Sequence, residues 1–421
     1  MTTHGTGCTL ELIAIGDELL NGQVVDTNSA WLGNEVGRLG LTVRRRQVVA
    51  DAFADIAAAL ALAASRSDVV VVSGGLGPTV DDMTAEATAR WLGVDWVLHE
   101  TALAQVQARY AWAGRGTRPI DEKQARLPAT ATVLENPVGT APAFSVTQGS
   151  CLLFFFPGVP HEYKTLSTRY ALPELGRRAG TAPTVRTWKL FGTTESGLAH
   201  LVDGLDPAGL ALHYRAHFPE IHLTVVAAQA AQAANVAAFA ERFERELGAY
   251  IFGDGDARLP AVVNALLQAG GHSLATAESC TGGLLGQLIT SEPGSSAVYL
   301  GGFIAYANAA KTQWVGVPDA LLEAHGAVSE PVALALAQGA RTRSGATFGL
   351  GVTGIAGPGG GTPDKPVGTV HVALATPDGT HHRKVHFRWD RERIRLVTAT
   401  LALDMLRRHL QGHAVIAEMR R

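Results

Sequence analysis

The sequence predicts an α/β protein: a mostly parallel sheet domain, a small α+β unit, and a second α/β domain. Three observations carry this. Short β-branched runs alternate with helix-length apolar stretches from Leu10 to Leu92, and several of these runs end in glycine-rich polar turns. The 421 residues also exceed what one core accommodates, so the chain divides at the usual ~100 to 200 residues per domain. Apolar content of 47% with a formal charge of -3 describes an ordinary globular chain. A basic nucleic-acid face is not indicated, since the tight run Arg44-Arg45-Arg46 is short and reads as a solvated strand edge. Cys8, Cys151 and Cys280 lie far apart without paired metal spacing, which points to a reduced, cytoplasmic setting. No signal core opens the sequence and no apolar run reaches the ~18 residues that span a bilayer, so no membrane partner is expected.

Leu10 to Ile15 reads as a buried strand ending in Gly16-Asp17-Glu18-Leu19-Leu20. Asp26-Thr27-Asn28-Ser29 follows as a capping cluster before a helix over Ala30 to Leu39. Val43 to Val49 reads as a strand and Ile56 to Ala64 as an alanine-rich helix. The β-branched run Asp68 to Val72 empties into Ser73-Gly74-Gly75-Leu76-Gly77-Pro78-Thr79-Val80-Asp81-Asp82. Ligands of such sheets bind outside the carboxyl ends of the strands, where both glycine turns lie. Gly74, Gly75 and Gly77 can shape a backbone anion nest, and Asp81 and Asp82 can hold a divalent cation against a phosphate. Asp81 and Asp82 equally suit the positive end of a helix over Met83 to Leu92, and only the second acidic loop at Asp17 and Glu18 tips the reading toward metal.

These segments, with Glu135-Asn136-Pro137-Val138-Gly139-Thr140-Ala141-Pro142 and Phe156-Pro157-Gly158-Val159-Pro160-His161-Glu162 in order, resemble the molybdopterin-binding-type domain of the CinA family of competence/damage-inducible proteins. The family has glycine after the Ala-Pro pair where this chain has Ala143, a departure that bears on close backbone approach there. The resemblance implies a metal-dependent hydrolysis of ADP-ribose to AMP and ribose 5-phosphate over residues 1–170. Asp17, Thr27, Asn28, Gly74, Gly75, Gly77, Thr79, Asn136 and Gly158 would contact the nucleotide, and Asp81, Asp82 and Glu18 the metal.

Residues 171–253 open on Pro173, Gly176 and Gly180, a domain edge by composition, and then read as a small α+β unit: strands over Val185 to Phe191 and Ile221 to Ala227, helices over Glu195 to Leu205 and Val236 to Leu247. His213, His217 and His222 match no compact ligand spacing, and Pro219 interrupts any common helix face. In the family this part resembles a KH-like insert, without the GxxG clamp for nucleic acid, and a spacer or homodimer element is expected.

Phe252 to Asp256 is a polar, glycine-rich joint, after which residues 254–421 form the last domain. A strand over Gly271 to Thr276 passes through Glu278-Ser279-Cys280-Thr281-Gly282-Gly283 into a helix over Leu284 to Thr290. Ser279 at that switch faces the N–H groups of a helical turn, which bind phosphate or stabilise an oxyanion, although Ser, Thr and Gly are also ordinary capping residues. A strand carries Tyr306 near its end, Lys311 follows five residues later, and a buried strand over Phe348 to Val352 leads into Thr353-Gly354-Ile355-Ala356-Gly357-Pro358-Gly359-Gly360-Gly361. Taken singly, Tyr306 reads as a half-buried strand aromatic and Lys311 as a solvated helix start.

Together these pieces resemble the nicotinamide mononucleotide deamidase of the same family, also found as a stand-alone protein. The resemblance implies that Ser279 is the nucleophile, that Lys311 and Tyr306 activate it, and that Thr353 lines the site. Cys280, Thr281, Gly282, Gly283, Gly354, Gly357, Gly359 and Gly360 would cradle the substrate, and Arg391, with Arg393 and Arg395 close by, would supply a phosphate or catalytic arginine. The chemistry stands on the residues as well. No histidine lies in the three loops, so a Ser-Lys arrangement replaces a Ser-His-Asp one, and backbone N–H groups of Cys280 to Gly282 are the expected oxyanion donors. No cofactor is needed there. A rival expectation, from a different class, is a non-catalytic sensor of a nucleotide or molybdopterin-like ligand that recruits partners in competence or DNA repair.

Overall fold

Unbroken β-branched runs suit strands covered on both faces, and Val69–Ser73 is buried from end to end. The computed structural model describes residues 8–179, 183–227 and 230–416, which divide into two units meeting at Pro183 and Thr184. The first unit holds strands β1 (Leu10–Ile15), β2 (Val43–Val49), β3 (Val69–Ser73), β4 (Trp96–Leu98), β5 (Arg126–Pro128), β6 (Thr132–Leu134), β7 (Ala143–Gln148) and β8 (Cys151–Phe156). Six of them form one sheet in the order β2-β1-β3-β8-β7-β6, parallel from β2 to β8 and antiparallel beyond, while β4 pairs with β5. Alternate residues serve opposite cores: Ile13, Val70 and Phe155 meet Ile56 and Leu60 on one face. Leu12, Val71 and Phe156 meet Leu32 and Val36 on the other. The run Arg44-Arg45-Arg46 lies exposed on β2, at the sheet edge.

The helix expected from Ala30 starts at Thr27 instead, because the Asp26 carboxylate accepts from the Ser29 N–H at 2.9 Å and so takes the N-cap position. The unit also runs past residue 170. Tyr163 and Leu166, from the helix Pro160–Leu166, and Leu175, from the helix Leu172–Arg178, are buried in its second core. Gly180 lies outside the described residues.

In the second unit, β9 (Thr184–Leu190), β10 (Ala211–His217), β11 (Glu220–Ala227) and β12 (Ile251–Asp254) form an antiparallel sheet ordered β10-β11-β9-β12. Trp188, Leu223 and Val225 pack with Phe239 and Phe243 of the helix Ala233–Leu247. Two of these strands are absent from the sequence reading. β10 is mostly exposed and carries little apolar signal. β12 occupies most of the stretch whose composition marks a joint, with Phe252 buried, so a boundary after residue 253 falls inside a strand.

The remaining strands are β13 (Leu274–Glu278), β14 (Tyr299–Ile304), β15 (Phe348–Gly354), β16 (Thr369–Thr376) and β17 (Gly379–His386). Their order is β14-β13-β15-β16-β17, parallel across the first three and antiparallel after. The helix Glu330–Ser344 lies so close to β15 that a Cβ on Gly351 would meet the Ala337 nitrogen at 2.4 Å. On the other face, Val263 and Leu267 pack with Leu350, Val372 and Leu406. Arg407, on the helix Arg391–Leu410, is wholly buried. It donates to Asp404 Oδ1 at 2.8 Å and to the carbonyls of Ala249 and Ile251 at 2.7 and 2.9 Å, which joins this helix to β12. No helix among the described residues is long and apolar enough to cross a membrane.

Candidate functional site

At the carboxyl ends of β1 and β3 the chain leaves the first sheet at Gly16 and Gly74, beside a cavity of about 520 Å³. Glu18, Thr27, Asn28, Gly74, Gly75, Gly77, Asp81, Asp82 and Gly158 all line it. Gly74 sits at φ 108°, where a Cβ would come 2.2 Å from the Ile15 carbonyl, so only glycine lets the two loops close together. The Thr84 hydroxyl donates to the Gly74 carbonyl at 3.0 Å, and the Thr84 N–H to the Gly75 carbonyl at 3.1 Å. With those carbonyls held, the N–H groups of Gly75, Leu76 and Gly77 have no acceptor among the described residues, the arrangement of an anion nest. Asn28 Nδ2 ties in the third loop through the Gly158 carbonyl at 2.8 Å, leaving Asn28 Oδ1 buried without a partner.

Three expected contacts are absent from the cavity wall. Asp17 exchanges hydrogen bonds with Asp51: each backbone N–H donates to the other's carboxylate, at 3.1 and 3.3 Å. The Thr79 N–H donates to Asp82 Oδ2 at 2.8 Å, bracing the glycine loop. Asn136 donates to the Ala141 carbonyl and to Glu162 at 2.9 and 2.7 Å while accepting from Val138 and Gly139, so it shapes its own loop. Ala143 is also not at the cavity: on β7 it pairs with Leu134 of β6 and its methyl is buried in the core, so the departure from the family's glycine falls off the cavity wall. Sequence reasoning missed Asp51, which lines the cavity just past the end of β2. Its position after a parallel strand, like Gly16 and Gly74, was the available signal. Burial first, then the charges of Asp17, Glu18 and Asp81, push its carboxyl above the ordinary range.

Among the described residues, no three of these carboxylates bring ligand oxygens within 4.8 Å of one another. A hard divalent cation is commonly held by one or two carboxylates together with waters and substrate phosphate oxygens, and Glu18, Asp51 and Asp81 around the nest fit that pattern.

In the second unit, β13 delivers Glu278 to the turn Ser279–Gly283 before the helix Leu284–Thr290. Glu278, 2% exposed, accepts from the N–H groups of Gly283 (2.9 Å), Leu285 (3.0 Å) and Gly286 (2.8 Å). The helix end therefore already carries an anion from within the chain. The Gly282 N–H is taken by the Ser279 carbonyl at 3.1 Å. Of the expected oxyanion donors, the Thr281 N–H is left without a protein acceptor among the described residues, and the Cys280 N–H faces only its own thiol. Gly282 and Gly283 thus act as turn residues rather than donors to a substrate.

Ser279 keeps 8% exposure, and its hydroxyl has no hydrogen-bond partner among the described residues. Lys311, read as a solvated helix start, is instead 1% exposed and opens a π-helical turn, Lys311–Val315. Its Nζ donates to the Tyr306 carbonyl at 2.8 Å, and it forms no ion pair or bond to Ser279 among the described residues. Burial lowers its pKa from the ordinary lysine range, with Cys280 opposing weakly, so the amine sits within electrostatic reach of the Ser279–Cys280 turn. Tyr306 lies beyond the end of β14 and is 59% exposed. It holds the lysine through its backbone, while its phenol accepts from Arg391 Nη2 at 3.4 Å. Thr353 is buried on β15 and donates to the Ala327 carbonyl at 2.8 Å, which fixes the loop before the helix Glu330–Ser344. Gly354 backs onto Cys280, since a Cβ there would stand 3.1 Å from Sγ; Gly359 borders open space, and a Cβ on Gly360 would stand 3.8 Å from Ile355. The Cys280 thiol is pushed up to about 12, by burial first, and stays protonated at neutral pH.

The family pattern described as "CinA C-terminal domain" matches residues 256–410, and that described as "Probable molybdopterin binding domain" matches residues 11–177. A CinA-like protein from Anaeromyxobacter sp. (strain Fw109-5) is 50% identical over 402 residues, covering 94% of this chain and 98% of its own. The chain belongs to the CinA family. A CinA-like protein from Anaeromyxobacter dehalogenans (strain 2CP-C) is 48% identical with the same coverage. A solved structure, the protein CinA with unknown function from Thermoplasma acidophilum, is 38% identical and spans 40% of this chain and 98% of its own, at a TM-score of 0.38.

In this CinA-family chain the three neighbouring arginines separate by geometry. Arg391 Nη1 donates to the Gly357 carbonyl at 2.7 Å and so bridges the glycine loop and Tyr306. Arg395 grips the Thr281 carbonyl at 2.7 and 3.1 Å, behind the Ser279 turn. Arg393 turns away, 3.6 Å from Asp390 and 5.5 Å above the Phe218 ring. The Thr281 hydroxyl is buried without a partner.

Proposed function

We propose that the second unit hydrolyses the carboxamide of nicotinamide mononucleotide to nicotinate mononucleotide and ammonia, and that the first hydrolyses ADP-ribose to AMP and ribose 5-phosphate. The observation that carries the first activity is Lys311: a buried amine with no anionic partner among the described residues, its charged form disfavoured, within electrostatic reach of Cys280, the chain neighbour of a Ser279 hydroxyl that has no hydrogen-bond partner among the described residues. A neutral amine donating one proton to the Tyr306 carbonyl keeps its lone pair for the Ser279 hydroxyl proton. Ser279 Oγ then attacks the carboxamide carbon while Lys311 takes that proton. The N–H groups of Cys280 and Thr281 stabilise the oxyanion, a contribution of roughly 10²- to 10³-fold per donor. Collapse breaks the C–N bond, Lys311 returns the proton to the leaving nitrogen, and ammonia departs. Water, deprotonated by the same amine, opens the ester and restores Ser279. Arg391, which donates to the Gly357 carbonyl, and the Gly357–Gly360 turn would receive the phosphate.

In the first unit the nest N–H groups of Gly75 to Gly77 bind and orient a phosphate. Glu18, Asp51 and Asp81 would hold a divalent cation that neutralises pyrophosphate charge. The test incubates purified protein with each nucleotide, with and without chelator, alongside Ser279→Ala. Ammonia release should resist chelator and vanish in the variant, whereas AMP formation should need metal and survive the substitution. Ammonia release retained in Ser279→Ala removes the serine mechanism, and chelator-insensitive AMP formation removes the metal role.

A further inference from the structure

We propose that the tip of the β10–β11 hairpin binds one zinc-class divalent cation through His217, Glu220 and His222. Strand pairing assembles what linear spacing disguises. The antiparallel register sets His217 opposite Glu220, and His222 follows two residues later on the same face. One ligand atom from each lies within 4.8 Å of the others. His222 Nε2 is 3.1 Å from Glu220 Oε2, and the two imidazoles stack with centroids 5.3 Å apart at 14°. Pro219, which argues against a shared helix face, sits in the turn between the strands, where it does no harm. His213 pairs with Thr224 farther along β10 and takes no part.

Two imidazoles and one carboxylate are the donors that zinc and its neighbours prefer, and they leave a fourth position for water or a further ligand. Calcium and magnesium favour oxygen donors and would bind poorly here. The surroundings tolerate a cation. Lys189, cross-strand from His222 on β9, directs its amine to the Ala257 carbonyl at 2.8 Å, and Arg215, opposite His222, is exposed. The turn is also anchored: the Phe218 ring meets Trp389 edge-on at 5.0 Å under the Arg393 guanidinium, so the donors need little ordering on binding.

The test uses tag-free full-length chain carrying Asp51→Asn and Asp81→Asn, which weaken cation binding in the acidic cavity, stripped with chelator and dialysed. Titrated with Zn²⁺ in a calorimeter, it should take up one equivalent per chain. His222→Ala and Glu220→Gln, each added separately, should weaken uptake about tenfold or more. Co²⁺ should give the intense visible absorption of a low-coordinate nitrogen site, lost in His222→Ala. His217→Ala, an exposed change that spares the fold, provides the second reading by the same measurements. No zinc uptake by the stripped chain, or uptake unchanged by His217→Ala and His222→Ala alike, overturns the proposal.

Discussion

The two units place a strand, a glycine turn and a helix in the same order, yet they treat the turn's N–H groups in opposite ways. In the first unit the groups of Gly75, Leu76 and Gly77 stay open, with Glu18, Asp51 and Asp81 around the same cavity. In the second, Glu278 fills the helix start with a carboxylate of the chain's own, through three hydrogen bonds. A helix end neutralised from within cannot also carry a substrate phosphate. On the proposed function, anion recognition then falls to Arg391, which donates to the Gly357 carbonyl, and the serine turn is left for chemistry.

The largest effect that sharpens this contrast comes from Lys311. Lys311→Met keeps the buried volume and should cut ammonia release by about 10³-fold or more while leaving AMP formation intact, as product assays will report. In the unsubstituted chain, burial disfavours the charged amine, so between the folded and ordinary lysine pKa values the unfolded state binds more protons. Stability from this residue therefore rises with pH across that window. The neutral base fraction climbs at its lower end, so kcat/KM should rise on an alkaline limb whose midpoint lies below the ordinary lysine value. A limb at that value, or none, breaks the assignment of Lys311 as the base.

Glu278→Ala tests the filled helix end directly. It strips one buried and two partly buried N–H groups of their acceptor and should lower stability by about 2 to 3 kcal/mol, read by denaturant unfolding. Added sulfate should restore part of that loss by occupying the opened helix end, and should do so less for the unsubstituted chain. Equal stabilisation of both by sulfate would erase the contrast between the units. The smallest effect is expected at Cys280. Its thiol, held near 12, should resist iodoacetamide at neutral pH, and Cys280→Ser should deamidate within about twofold of the parent, since a buried protonated thiol is inert. A large loss would move the nucleophile one residue along.

Glycine turns after buried runs were legible because their chemistry is local: β1, β3 and β13 and the loops that follow them can be read from composition alone. The family motifs likewise drew attention to Ser279, Lys311 and Asn28. What the chain concealed depends on contacts between distant segments. Asn136 and Thr353 sit within motifs, yet their side chains reach Glu162 and the Ala327 carbonyl, far along the chain. Tyr306 supports the lysine by its carbonyl, a group every residue has, so its identity gave no hint of that use. Asp51 stands alone in sequence and joins the other acids of the cavity wall only when β2 lies beside β1. The histidines of the β10–β11 hairpin show the same lesson, since an antiparallel register creates neighbours that no linear interval records.

Arg407 bears on how this chain can be dissected. Cutting before residue 254 would remove the Ala249 and Ile251 carbonyls that receive its guanidinium, leaving two of its donors to Asp404 and Gln411 alone and stripping an edge from the last helix's packing. A fragment for isolated study of the second unit is better begun at Thr184, where the severed backbone leaves β9 and its neighbours whole.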